Sequence, residues 1–241
     1  MLLFFRLKRL KFNNTHPSLM ILIPELREII LAVILFLWVI FVSHFLTRII
    51  YSHFLSRGFP QRVAVYYNRK ILHMLTGGLI AVLVPYIFQG PLLLILMVAI
   101  LAIGNYLPHR MNKLFYWYQV EDNMYEVHFI IMWGVVMTIG FMIGNIWLAV
   151  LPTIFMSFGD GITGIVRNSI YKRRTKSWWG NIAMMIICAP VGYAVIGIPG
   201  LISGVAASLI EKFEYKWLDD NITVPLVSFL ILLVFSRFNI L

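Results

Sequence analysis

Three short stretches of the chain concentrate the residue types that hold phosphate and hard cations. The first, residues 157–181, reads SFGDGITGIVRNSIYKRRTKSWWGN. Asp160 stands between Gly159 and Gly161 at the end of an apolar run, with Gly164 one turn further on. Glycines here remove side-chain bulk, which serves either close helix packing or close approach of a phosphate to backbone N–H groups. The basic run that follows, with Arg173, Arg174 and Lys176 before Ser177, suits an anion. Guanidinium grips phosphate oxygens bidentately, and ammonium adds a compact charge. A juxtamembrane run of this kind also touches anionic membrane lipids without doing any chemistry.

The second stretch, NRKILHMLTGG at residues 68–78, spaces Arg69, His73 and Gly77 four apart on one helical stripe, with Lys70 on the neighbouring face. A cation and an imidazole thereby enter an apolar helix together. The third, EKFEYKWLDDNITVP at residues 211–225, brings Glu211, Glu214, Asp219, Asp220 and Asn221 close in sequence. Magnesium favours carboxylates combined with water and substrate phosphates. Asp160, Asp220 and Glu211 are therefore the candidate metal ligands; a solvated acidic loop is the plainer reading of the last two. His44, His53 and His128 read as structural. The chain has no GxxxxGK[ST] loop, no HExxH pair and no nucleophile elbow, so P-loop, metalloprotease and serine hydrolase readings lose support.

The elements that must position these residues are membrane helices. Of 241 residues, 61% are hydrophobic and 12% charged, about half the charge of an ordinary soluble domain. Apolar runs long enough to cross a bilayer recur along the chain. They predict an all-α polytopic protein of seven or eight spans, at about residues 28–47, 71–88, 91–107, 127–143, 146–166, 181–196, 198–215 and 222–238. Residues 28–241 form a single membrane domain in this reading, preceded by a surface segment at 1–27. The N-terminus does not read as a cleaved signal peptide, because its charges follow its apolar residues and no small-residue site succeeds them. One cysteine, Cys188, excludes a disulfide within the chain and reads as packing.

Nearly all polar residues fall in the connections after the first, third, fifth and seventh segments. Alternate connections share a side, and their Lys and Arg content predicts that side to be cytoplasmic. The net charge of +10 is accounted for in this way, without nucleic acid. The aromatic runs at 115–118, 178–179 and 215–217 read as an interfacial belt. Residues 146–158 alone make a helix of about 20 Å, short of the ~30 Å hydrocarbon core. If that helix continues to Val166, Asp160 lies below the membrane surface, where a carboxylate is costly and marks function.

In order and spacing, these motifs resemble the polytopic isoprenoid-alcohol kinases, the dolichol, phytol and polyprenol kinases. Arg69, Lys70, His73 and Gly77 come first. Phe158-Gly159-Asp160-Gly161 with Gly164 follows, then Lys176-Ser177 with Gly180, and finally Glu211, Asp220-Asn221 and Pro225. The similarity covers about residues 65–230. It departs from the family at Gly161, where members often have Ala, at Trp179, where many carry Glu, and near Arg167, where many carry Gly. The resemblance implies a CTP-dependent phosphotransferase acting on a long isoprenoid alcohol held in the bilayer.

On that reading, Asp160 and Asp220 serve magnesium, with Glu211 a further candidate. Lys70, Arg173, Arg174, Lys176 and Ser177 meet phosphate, and Gly159, Gly161 and Gly164 let it approach. The base is Asp160 or His73. Two alternatives stand beside it: a membrane cytidylyltransferase making a CDP-activated lipid, and a small ion-coupled transporter. The K-D, H-G-G and D-R signature usual in such cytidylyltransferases is missing, as is the D-G-x-x-A-R signature of CDP-alcohol phosphotransferases. The sequence sets no oligomeric state.

Overall fold

The structure, a computed structural model, describes residues 23–173, 175–213 and 218–238. Among the described residues it is all-helical, without strands. Seven helices among them are long and apolar enough to cross a membrane: α1 (Leu26–Ser56), α2 (Gln61–Ile87), α3 (Leu92–Arg110), α4 (Tyr125–Ile143), α5 (Trp147–Tyr171), α6 (Trp178–Ile196) and α8 (Asp220–Arg237). Between the last two lies α7 (Ile198–Ile210), which is apolar but short. At ~1.5 Å per residue it reaches about 20 Å, shorter than the span expected at 198–215, and it returns along α6 so that Ser208 and Glu211 meet Asn181 and Lys176. Of the surface segment expected at 1–27, residues 1–22 lie outside the described residues, and from Leu26 the chain is already helical.

Helices suit this chain because each satisfies its own backbone hydrogen bonds in lipid. Their outward faces are apolar, as Val33, Leu37, Phe45, Ile100, Ile103 and Ile186 illustrate. Small residues bring the backbones together. On the α6–α7 hairpin, a Cβ on Gly192 would collide with the Gly200 carbonyl, and one on Gly204 would fall 2.5 Å from the Cys188 carbonyl. The core is formed by residues such as Leu148, Leu151, Phe155, Met156 and Met184, and α5 is the most enclosed of the spans.

Two helices run further than their apolar content indicates. Helix α2 begins at Gln61, so Arg69 and Lys70 are buried helical residues rather than loop residues. Helix α5 continues through Asp160 to Tyr171. In both cases tertiary contacts bury the polar residues, which hydropathy alone reads as loop. The aromatic expectation is also corrected in part. Trp178 and Trp179 are exposed, as a belt requires, but Trp117 and Tyr118 are buried. The Trp117 indole donates to the Ser43 carbonyl at 2.8 Å, and the Tyr118 hydroxyl bonds the Asn105 amide oxygen at 3.0 Å. Residues 215–217 lie outside the described residues.

Candidate functional site

One end of the bundle carries the polar chemistry. There α2, α5, the start of α6, the end of α7 and the start of α8 converge. Both helices that supply the central residues contain a π-helical turn, at His73–Gly78 in α2 and at Phe155–Gly159 in α5. Such turns re-aim side chains and recur at functional sites. In α2 the turn's carbonyls are used: Leu75 accepts the Trp38 indole N–H at 2.8 Å, and Gly77 accepts that of Trp133 at 3.0 Å.

Asp160 directly follows the second π turn and is 1% exposed. The Lys70 ammonium donates to both its oxygens, at 2.6 and 2.5 Å. His73 Nδ1 lies 3.5 Å from Asp160 Oδ2, an electrostatic contact rather than a hydrogen bond. The imidazole stacks on Phe129 with centroids 4.0 Å apart. The stripe expected on α2 is therefore real. Lys70 faces the carboxylate, and His73 lies beside it.

Asp160, Glu211 and Asp220, distant in sequence, each offer an oxygen within 4.8 Å of the others. All three are buried. Lys176 bridges two of them, donating to Glu211 Oε1 at 3.0 Å, to Asp220 Oδ2 at 2.9 Å, and to the Glu211 carbonyl at 2.8 Å. Arg167 completes the network from α5. Its Nη1 and Nη2 hold Glu211 Oε1 and Oε2 at 2.7 Å each, Nη2 also reaches Asn181 at 2.8 Å, and Nε donates to the Ser177 carbonyl at 3.0 Å. Burial raises the Glu211 carboxyl above its ordinary pKa. Lys176 and Arg167 act against that rise, and Asp220 adds to it. Three cations thus face three carboxylates, Lys70 and Arg167 from the buried interior and Lys176 from a position one quarter exposed.

The donor set fits a hard divalent cation. Oxygens bound to one magnesium at about 2.0–2.1 Å lie within about 4.2 Å of each other, so the observed separations need only small adjustment. Glu211 already accepts four N–H donors, a full set for a carboxylate. Asp160 and Asp220 are therefore the better candidates. Several buried polar groups on the same segments have no hydrogen-bond partner: both amide atoms of Asn168, both of Asn221, and the hydroxyls of Thr175 and Ser177. Buried polar groups are seldom left unsatisfied, and these suit a polar occupant beside the carboxylates.

Other expectations fare differently. The three glycines pack helices. A Cβ would fall 2.6 Å from Cys188 Sγ at Gly159, 2.8 Å from Met74 Cγ at Gly161, and 2.6 Å from Lys70 Cε at Gly164. Of the two roles the sequence allowed them, close packing is the one observed. Arg173 is exposed in the turn after α5, and Arg174 lies outside the described residues. Asp219 caps α8, accepting from the Asn221 N–H at 3.1 Å and from His128 at 2.8 Å. Glu214 lies outside the described residues.

Arg167 was missed as a site residue. Its signal is its place seven residues after Asp160, two turns along the same helix face. Asn181, at the end of the first motif, was missed as well.

A second space adjoins the carboxylates. A cavity of about 300 Å³ opens among α1, α2, α3 and α4, lined by apolar residues such as Ile80, Leu94, Val98, Leu101 and Trp133. Arg69 and Glu126 are its charged lining residues, and His44, His73 and Tyr118 its other titratable ones. His73 therefore belongs to both spaces, lining the cavity and contacting Asp160. Comparison with family models, curated proteins and solved structures finds no match for this chain.

Proposed function

We propose that this protein is a lipid-alcohol kinase that moves the γ-phosphoryl group of CTP to the hydroxyl of a long isoprenoid alcohol. The observation that carries the reading is the position of His73, the wall between an apolar cavity among the helices and a cluster of three buried carboxylates with three cations on them. A water-insoluble acceptor and a polyanionic donor require such adjoining spaces. The motif resemblance to polyprenol and dolichol kinases supplies the donor and acceptor classes.

In this scheme the isoprenoid chain lies in the cavity and presents its hydroxyl at His73. The hydroxyl oxygen bonds to the γ-phosphorus as the bond from that phosphorus to the β,γ-bridging oxygen breaks, and CDP leaves. The hydroxyl proton passes to His73, which lines the cavity, or to Asp160 behind it. Lys70 and Lys176 are positioned to exchange their carboxylate contacts for phosphate oxygens, where charge neutralisation lowers the barrier. Asp160 and Asp220 would hold magnesium, which when bound supplies charge neutralisation for the triphosphate. The Lys and Arg content of the connections at this end supports a cytoplasmic orientation, the side on which the nucleotide is available.

The test uses γ-labelled CTP and geranylgeraniol with the protein in lipid nanodiscs. Label moving to the lipid supports the kinase. Label released in pyrophosphate on supplying a lipid phosphate would replace it with a cytidylyltransferase. Substrate flux in sealed vesicles without any chemical product would replace it with a transporter.

A further inference from the structure

Arg69 and Lys70 are neighbours in sequence but face different spaces. Lys70 turns to Asp160. Arg69 lines the apolar cavity together with His73, one turn later on the same stripe. The Arg69 guanidinium lies over the Tyr125 ring, 3.8 Å from its centroid. The residue is 6% exposed, its Nε is fully enclosed, and among the described residues no oxygen accepts a hydrogen bond from it and no carboxylate pairs with it. Glu126 also lines the cavity; its Oε1 accepts from His109 at 2.6 Å and Gln119 at 2.8 Å, and its buried Oε2 has no hydrogen-bond partner and, among the described residues, no ion pair with Arg69. A guanidinium removed from water without an anion is costly, and a ring face replaces only part of its hydration. Every other buried cation of the polar end has its carboxylate.

We propose that Arg69 is the seat of an anionic head group whose chain lies in the cavity, namely the phosphate monoester of an isoprenoid lipid. The guanidinium fork matches two phosphate oxygens. Its place at the cavity's polar end, beside His73, puts that phosphate next to the carboxylate cluster. This inference rests on reading the cavity as the isoprenoid site. It adds that the site holds the phosphorylated lipid more tightly than the alcohol, so that the lipid monophosphate is a product inhibitor competing with the alcohol. The shared chemistry is a phosphate dianion, which a lipid or free phosphate could each supply.

The experiment is equilibrium displacement of radiolabelled geranylgeranyl monophosphate from the full chain in nanodiscs, without nucleotide. Unlabelled geranylgeranyl monophosphate is expected to displace it at least about tenfold better than geranylgeraniol, the difference a charge-assisted bidentate contact makes. Inorganic phosphate at millimolar concentration is expected not to displace it. Arg69→Gln should bring monophosphate and alcohol to equal potency, and Arg69→Lys should fall between. Equal potency of the two lipids on the wild-type protein overturns the proposal, whatever the variants do. So does displacement by inorganic phosphate, or an Arg69→Gln protein that keeps the preference. A wild-type protein that binds the monophosphate while geranylgeraniol fails to compete supports the Arg69 seat and removes the alcohol-acceptor reading instead.

Discussion

Replacing Asp160 by Asn tests the centre of the site, and the structure changes what that substitution does. Asp160 is the buried partner of Lys70, and both side chains are nearly fully enclosed. Asp160→Asn therefore strands an ammonium. Breaking a buried pair from one side costs about 3–5 kcal/mol; the Asn carbonyl retains one acceptor, which favours the lower end. At about 2–4 °C per kcal/mol for a chain of this size, the thermal midpoint should fall by about 6–12 °C. Lys70→Met with Asp160→Asn removes both charges, and the stability of the double variant should return to within about 1 kcal/mol of wild type.

Activity should not return with it. The double variant lacks a candidate metal ligand and a phosphate cation, so turnover should stay down at least about a hundredfold, roughly 2.7 kcal/mol of transition-state stabilisation. Both quantities are read on the same nanodisc preparations, by thermal unfolding and by transfer of γ-label from CTP to geranylgeraniol. An Asp160→Asn protein that melts like wild type refutes the charge-pair reasoning. A stable double variant with near-normal turnover refutes the catalytic one.

Three further outcomes follow from particular contacts. Gly104 lines the cavity, and a Cβ there meets nothing within 4 Å. Gly104→Leu should leave the melting point intact and raise the KM for the alcohol, not for CTP; the reverse pattern would take the acceptor out of this cavity. Arg167→Lys keeps the charge but loses the fork on Glu211 and the bonds to Asn181 and Ser177, a cost of about 1–3 kcal/mol, and an unchanged melting point would contradict the clamp. With Cys188 replaced by Ala, single cysteines at Arg57, Asn112 and Arg173 should label from the cytoplasm and those at Gln89 and Asn145 from the other side. Mixed accessibility within the first group would break the single polar face.

The class of molecule was legible in composition and apolar run lengths. Lipid tolerates only long apolar helices, so composition and the lengths of apolar runs disclosed an all-α membrane protein and most of its spans. The stripe of Arg69 and His73 on α2 was legible because helical periodicity is local. The depth of Asp160 was legible as one of two cases, because the apolar run before it is too short to cross unless the helix continues. Hydropathy misjudged the helix ends at Gln61 and Tyr171, and the short α7, because it measures preference for lipid and not burial against protein.

Which charges meet is set by how the helices pack. Lys70 finds Asp160 ninety residues away, and Arg167 joins Lys176, the last cation of the basic run, in gripping Glu211. The glycines around Asp160 proved to be contact points because their opposite walls belong to α2 and α6. The cavity, and the fact that His73 lines it and touches Asp160, have no counterpart in any single segment. Pairing and enclosure depend on the packing of several helices, and a linear pattern reports only one helix at a time.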